Sequence, residues 1–354
     1  MDQTIFTPKK TRRITVGGVA IGGGADVVVQ SMTNTDTRDA EKTLAQIKRL
    51  HDAGCGIVRV AIPDMDAARA LYEIKKSSPL PVVADIHFDY RLAIEATYAG
   101  ADKIRINPGN IGGEDRVKAV VSACREKKIP IRVGVNSGSL QRGLLEKYGA
   151  PCAEALVESA DMHLQLLWRF DFDDICVSIK SSDVPTTVKA NMLFSSRYDV
   201  PLHLGVTEAG TQYMGTVKSS AGIGGLLALG VGDTIRVSLT ADPVSEVYAA
   251  QAILKAVGLN KSGVSVVSCP TCGRTRIPLI EIANEVEKKL AGCPKKLKVA
   301  VMGCAVNGPG EAREADIGIA GGDGEGLIFV KGRIIRKVPQ EDLVAELIRE
   351  IDHL

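Results

Sequence analysis

The sequence predicts an α/β chain in two parts, a TIM (β/α)8 barrel followed by a small α+β domain. Three observations carry that expectation. Apolar strand-like runs alternate with amphipathic helical patterns eight times across residues 1–258. A linker-like stretch, Gly258-Leu-Asn-Lys-Ser-Gly263, ends the alternation. The remaining residues, 264–354, mix short strand candidates with two helical patterns and hold three cysteines in turn-forming contexts.

Taken in order, the barrel strands are expected at Val27–Met32, Ile57–Ile62, Val82–His87, Lys103–Asn107, Ile131–Asn136, Ile175–Lys180, Leu202–Thr207 and Thr234–Leu239. Helical periodicity marks Arg38–Ala53, Met65–Lys76, Glu114–Lys127, Glu154–Phe170 and Val244–Val257 between and after them. A doubly wound sheet is the competing architecture, but it gives no reason for eight repeats, and no Gly-x-Gly-x-x-Gly follows the first strand. Beyond the linker the pattern reads as a short strand, the first cysteine pair, a helix near Pro278–Leu290, a strand ending before Cys304, further strands, and a helix near Glu341–Ile351. Gly22-Gly-Gly24 and Gly321-Gly322 read as turns rather than phosphate cradles, since neither opens a helix.

Composition narrows the function classes. The 354 residues are 45% hydrophobic, enough for two cores, and the net charge of +2 with only short basic clusters excludes nucleic acid as an expected partner. Aromatic residues at 4% leave few stacking platforms for single strands. The N-terminus shows no apolar signal core and the longest apolar stretch, around Ala221 to Val231, is glycine-broken, so a cytoplasmic location without membrane contact is expected. Eight cysteines in that compartment read as reduced thiols, with Cys55, Cys124, Cys152 and Cys176 in the core.

Strand alternation assigns a polar interior to the barrel. Side chains switch faces at every residue, so Arg59 shares a face with Ala61, Asp85 with His87, Arg105 with Asn107, Arg132 with Gly134 and Asn136, Lys180 with Ser178, and Arg236 with Ser238. The intervening Val58, Val60, Ile104, Ile106, Val133, Val135, Val177, Ile179, Ile235 and Val237 are apolar and should face the helices. Four arginines and a lysine in a barrel that ordinarily holds Val, Ile and Leu need neutralising. Asp85 and Glu208 can pair with some of them. The cations still outnumber those acids, and a ligand with more than one negative charge, most simply a diphosphate, resolves the imbalance.

The cysteines point to a metal. Cys269-Pro-Thr-Cys272 is the spacing at which one tight turn aims two thiolates at a centre, and it serves zinc, iron–sulfur and dithiol redox sites alike. Cys304 ends the apolar run Val299-Ala-Val-Met302 and enters a loop with glycines at 303, 308 and 310. Three thiolates suit a cubane cluster with one special iron that takes Glu311 as a harder, weaker ligand, while Glu311 as a loop-surface carboxylate fits the spacing equally well. A structural zinc would need Cys293 as its fourth ligand.

Gln30-Ser-Met-Thr-Asn-Thr35, Val83-Ala-Asp-Ile-His-Phe-Asp-Tyr90, Arg105-Ile-Asn-Pro-Gly-Asn110, Gly134-Val-Asn-Ser-Gly-Ser139, Leu202-His-Leu-Gly-Val-Thr-Glu-Ala-Gly210, Cys269-Pro-Thr-Cys272 and Val306-Asn-Gly-Pro-Gly-Glu311 together resemble the bacterial 4-hydroxy-3-methylbut-2-enyl diphosphate synthase family of the non-mevalonate isoprenoid pathway. The resemblance spans nearly the whole chain in its compact two-domain form. It implies reductive ring opening of 2-C-methyl-D-erythritol 2,4-cyclodiphosphate, with two electrons supplied singly through a [4Fe-4S] cluster by flavodoxin or ferredoxin. It places Cys269, Cys272, Cys304 and Glu311 on the cluster, making residues 264–354 an iron–sulfur domain, and the cyclic diphosphate in the barrel mouth. It also implies a homodimer in which one chain's cluster completes the other chain's site.

On this basis Arg59, Arg105, Arg132 and Lys180 are expected to hold the diphosphate, with Asn107, Asn136 and Arg236 assisting. Glu208 is expected to deliver a proton to the departing oxygen, with His87 or His203 as alternatives, and Asn307 either orients substrate or shapes its own loop. Two competing functions are a Schiff-base aldolase using Lys180, in which the cysteines are structural, and a non-catalytic iron–sulfur carrier, in which the cationic barrel has no purpose.

Overall fold

The computed structural model describes residues 8–260, 263–291, 293–305 and 312–354. The chain forms two compact units, Met1–Leu259 and Asn260–Leu354.

The first unit opens with an antiparallel hairpin, β1 (Ile14–Val16) and β2 (Val19–Ile21), which the sequence reading did not anticipate. Gly17 and Gly18, both at positive φ, make its two-residue turn. Eight parallel strands follow: β3 (Val28–Met32), β4 (Ile57–Ala61), β5 (Val82–Asp85), β6 (Lys103–Ile106), β7 (Ile131–Asn136), β8 (Ile175–Lys180), β9 (His203–Leu204) and β10 (Thr234–Ile235). They pair in the order β8-β7-β6-β5-β4-β3-β10-β9, and a parallel bridge between Val177 and Leu202 brings the two ends of the sheet together. The result is a (β/α)8 barrel.

β9 and β10 are two residues long where the sequence suggested six. Gly205 marks the place where the β9 ladder stops. A Cβ there would lie 2.5 Å from Lys180 Nζ and 2.8 Å from the Arg236 carbonyl oxygen, so a neighbour's side chain fills the space of a regular inward residue.

Aspartates at the ends of the βα loops start many of the helices. Asp39, Asp64 and Asp183 accept from the backbone N–H of Lys42, Ala67 and Thr186, opening Ala40–Asp52, Met65–Ser77 and Val184–Arg197. Asp89 and Asp242 cap Tyr90–Tyr98 and Pro243–Ala256 in the same way. The outward residues Val58, Val60, Ile104, Ile106, Val133, Val135, Val177 and Ile179 are buried among the helices, each worth roughly 2 kcal/mol of transfer free energy. At the N-terminal end of the strands, Ile14, Val16 and Ile21 of the hairpin pack on the inward residues Ile57, Val83 and Cys176 and plug the barrel floor.

The second unit is a five-stranded sheet in sequence order: β11 (Val264–Ser268), β12 (Leu297–Met302), β13 (Ile317–Gly321), β14 (Glu325–Val330) and β15 (Arg333–Pro339). The first three are parallel and the last two antiparallel. Helices Leu279–Leu290 and Leu343–His353 share one core with Val299, Val301, Ile317, Ile319 and Ile328 of the sheet. No helix among the described residues is long and apolar enough to cross a membrane.

Candidate functional site

The C-terminal ends of the barrel strands enclose a polar cavity of about 130 Å³, lined by Arg59, Asp85, His87, Arg105, Arg132, Asn136, Ser178, Lys180, Thr207, Arg236 and Ser238. Pairing register explains the convergence. Asp85 lies opposite Arg105, Arg105 opposite Arg132, and Asn136 opposite Lys180, so neighbouring strands present their polar residues to the same interior. Gly134 makes room for one of them, because a Cβ there would meet Arg105 Nε at 2.5 Å.

Asp85, almost fully buried, is the hub. Its Oδ1 accepts from Arg105 Nη1 at 3.1 Å, and its Oδ2 lies 3.8 Å from both Arg59 Nε and His87 Nε2. Burial pushes the Asp85 carboxyl up, but Arg59, Arg105 and Arg132 together outweigh it and hold the group well below the ordinary carboxylate range. The second acid is Glu246, not Glu208. From the helix Pro243–Ala256, Glu246 accepts from Arg236 at 3.2 Å, from the Leu239 N–H at 3.0 Å and from Ser31 Oγ at 3.1 Å. Nothing in the sequence distinguishes it from any first-turn helix glutamate, which is why charge counting missed it.

Five cations, Arg59, Arg105, Arg132, Lys180 and Arg236, therefore share two carboxylates. The deficit is visible in Arg59, Arg132 and Lys180. Burial first, and then Arg236 and Arg105 against the opposing Asp85, pull Arg59 down to about 10. Arg132 and Lys180 are displaced far further from their ordinary values, chiefly by burial and then by the neighbouring arginines. One edge of the Arg59 guanidinium, Nε and Nη2, meets the Met32 sulfur, with the Asp85 carboxylate 3.8 Å from Nε. Such a cavity attracts an anion with several negative oxygens.

The other expected site residues lie around this cavity. Asn107 is buried, with its amide spanning two mouth loops: Oδ1 accepts from the Gly109 N–H at 3.1 Å and Nδ2 is 3.5 Å from Ser139 Oγ. His203 is fully buried, lies outside the cavity lining, and has Nδ1 3.4 Å from Thr234 Oγ1. Glu208 follows the lining residue Thr207, is exposed, and has a φ of 51°, a left-handed backbone that a glutamate adopts under constraint. His87 is half exposed at the rim. Thr207 belongs to the lining and was not singled out from the sequence. Asn307 and Glu311 lie outside the described residues.

In the second unit, two neighbouring parallel strands end at the same sheet edge. Ser268 of β11 pairs with Val301 of β12, so Cys269 and Gly303-Cys304 leave the sheet side by side, and the Gly303 N–H donates to Cys269 Sγ at 3.1 Å. The turn carrying Cys272 is held by Thr275, whose Oγ1 accepts from the Cys272 N–H at 3.1 Å. Cys272 is exposed, and the Arg274 backbone and side chain draw its thiol below the ordinary range. All three cysteines are free thiols, and among the described residues no three His, Cys, Asp or Glu side chains form a metal-holding group. Cys293 precedes β12 while Cys304 follows it, so a six-residue strand, roughly 20 Å, stands between them. That distance removes Cys293 as a ligand of any metal bound at Cys304, and with it the four-cysteine zinc reading.

Comparison with known proteins fits both units. A family model described as the GcpE TIM-barrel domain matches residues 11–251, and one described as the GcpE protein C-terminal domain matches residues 265–353. A relative from Clostridium acetobutylicum, 4-hydroxy-3-methylbut-2-en-1-yl diphosphate synthase (flavodoxin), is 62% identical over 98% of this chain and 99% of its own length. The protein of the same name from Clostridium perfringens is 60% identical over 97% of this chain and 99% of its own. Among solved structures, 3-dehydroquinate dehydratase from Geobacillus kaustophilus superposes with a TM-score of 0.50 at 15% identity, covering 71% of this chain and all of that one, a likeness of fold alone.

Proposed function

The chain belongs to the GcpE family of 4-hydroxy-3-methylbut-2-en-1-yl diphosphate synthases, and from that premise we propose that its barrel cavity holds both phosphates of the cyclic substrate. The reaction is the reductive ring opening and dehydroxylation of 2-C-methyl-D-erythritol 2,4-cyclodiphosphate to 4-hydroxy-3-methylbut-2-enyl diphosphate, with flavodoxin as electron donor. The family's cofactor is a [4Fe-4S] cluster, which supplies the two electrons one at a time. The observation that carries the reading of the site is the cavity itself, in which five cations share two carboxylates.

Arg59, Arg105, Arg132 and Lys180 bind the diphosphate oxygens, with Arg236 and Asn136 completing the cage and Asn107 fixing the loops beside it. Asp85 holds Arg59 and Arg105 in position. Glu208 delivers the proton to the departing oxygen, its constrained backbone at the rim setting the carboxyl's direction, while His87 lends a second donor. Cys269, Cys272 and Cys304 supply the thiolates, and their delivery to one sheet edge by β11 and β12 supports that assignment. Glu311 is the weakly held fourth ligand and Asn307 a substrate-orienting residue, both on the evidence of sequence. The aldolase alternative has less support, since it gives Cys269, Cys272 and Cys304 no role beyond structure. A carrier role leaves the cation cavity unexplained.

The experiment is anaerobic. Protein with its cluster reconstituted should contain about four irons per chain and should convert the cyclic diphosphate with reduced flavodoxin. Glu208→Gln should keep iron content and substrate binding while losing roughly 100-fold in turnover, the scale of one acid–base group. Zinc without iron after reconstitution would sink the reductase reading, and full turnover by Glu208→Gln would remove its role.

We also place the enzyme in the cytoplasm and assign its working site to two chains. The family resemblance carried by the sequence motifs supports that assignment. Mixed dimers of a Glu311→Ala chain and an Arg105→Ala chain should then recover about half of wild-type activity, one intact site per dimer. No recovery would show that each chain serves itself.

A further inference from the structure

Lys103, His203 and Gln30 are buried polar residues outside the cavity lining that the reaction does not use. Lys103, which opens β6, is fully buried, and its Nζ has no hydrogen-bond partner among the described residues. The same holds for Nε and Nη1 of Arg132, Nε2 of His203, and both side-chain polar atoms of Gln30. Lys103 shares the inward face of β6 with Arg105, whose neighbour across the ladder is Arg132, and His203 lies across from Thr234.

These groups feel one another. Burial lowers Lys103 to about 8, with Cys176 opposing the shift and Arg132 and Arg59 adding to it. Burial, then Arg132, Lys180 and Lys103, keep His203 neutral.

No carboxylate is left over to answer the charge on Lys103, and Arg132 has only a share of Asp85. Asp85 is engaged by Arg59 and Arg105, and Glu246 by Arg236. The nearby buried acid Asp233 accepts from Thr11 Oγ1 at 2.6 Å and from the Leu202 N–H at 2.8 Å. Water would satisfy the orphaned donors, but it would leave Lys103 a buried cation without a carboxylate and Arg132 with only a share of Asp85.

We infer that the barrel floor is a second anion site, distinct from the substrate's, taking one small monovalent anion of halide size between Lys103 and Arg132, with His203 and Gln30 as neutral donors. Halide size follows from the surroundings: Ile14, Val16 and Ile21 close the floor from below, and Lys103, His203 and Gln30 lie outside the lining of the cavity above. The anion accepts from the orphaned Nη1–H of Arg132 and leaves Nη2 for the phosphate.

The test uses the full-length protein with its cluster reconstituted and inorganic diphosphate filling the mouth cavity, so that halide is read only below it. Crystals grown in sodium bromide should show one anomalous peak beside Lys103 Nζ. In solution, replacing chloride by bulky isethionate at equal ionic strength should lower Tm by about 3 °C. Lys103→Met should abolish that difference while Lys180→Met, in the cavity above, retains it. If Lys103→Met does not fold, the bromide map on the wild-type protein decides. Water alone in the floor, a bromide peak only in the mouth, or a Tm indifferent to halide each overturns the site. Failure of inorganic diphosphate to bind would instead count against the substrate reading and leave the floor peak untouched.

Discussion

Arg105→Ala should raise the dissociation constant of the cyclic diphosphate by about 100-fold, the equivalent of roughly 3 kcal/mol for two charge-assisted hydrogen bonds. Two effects act in the same direction. The cavity loses one of five cations, and Asp85 loses the partner 3.1 Å away that neutralised part of its charge, so its carboxylate repels the incoming phosphate more strongly. Iron and sulfide content should stay at the wild-type level, because Arg105 belongs to the barrel and the cysteines to a separate compact unit. Titration of substrate into anaerobic protein measures the first quantity and metal analysis the second. Binding within threefold of wild type would remove Arg105 from the phosphate site. A fall in iron content would show that the substitution disturbs more than the cavity.

The barrel was legible because two periodicities coincide in it. Eight alternations gave the (βα) count, and within each strand the period of two separated Val58 and Val60 from Arg59, and Ile104 and Ile106 from Arg105, so most of the cavity lining, though not Thr207, was legible in the sequence. What the sequence concealed has physical causes. Helix Val184–Arg197 and the stretch from Gln212 to Ala228, which passes through a π-turn at Ser220–Gly224, are small-residue or weakly amphipathic segments whose pattern is faint. The hairpin Ile14–Ile21 is too short for either period to show. Glu246 was hidden because its partner, Arg236, lies on a different element, and such pairs leave no mark on local spacing. At Cys293 the sequence left a choice open, and only the length of β12 closes it.

Asp85→Asn should weaken the protein and strengthen its hold on anions. In the wild type this one carboxylate lies within 4 Å of Arg59, Arg105 and His87, and removing a partner from a buried ion pair costs about 3–5 kcal/mol. In a unit of this size that corresponds to a fall in Tm of roughly 10 °C. Because the folded-state pKa of Asp85 lies below its unfolded value, its contribution is complete above about pH 4 and is withdrawn as acid carries the pH down through the lowered value. The variant should therefore lack that part of the acid limb of the stability profile. Its affinity for inorganic diphosphate moves the other way. For a separation on the order of 7 Å, one negative charge fewer beside the phosphate would be worth roughly 2 kcal/mol at an effective dielectric of 20, against about 1 kcal/mol for the lost orientation of Arg105. The dissociation constant should fall about fivefold, and saturating diphosphate should restore most of the lost Tm. Weaker diphosphate binding in this variant would mean that Asp85 serves the site chiefly by aiming Arg59 and Arg105, and that geometry rather than net charge governs how the cavity holds its ligand.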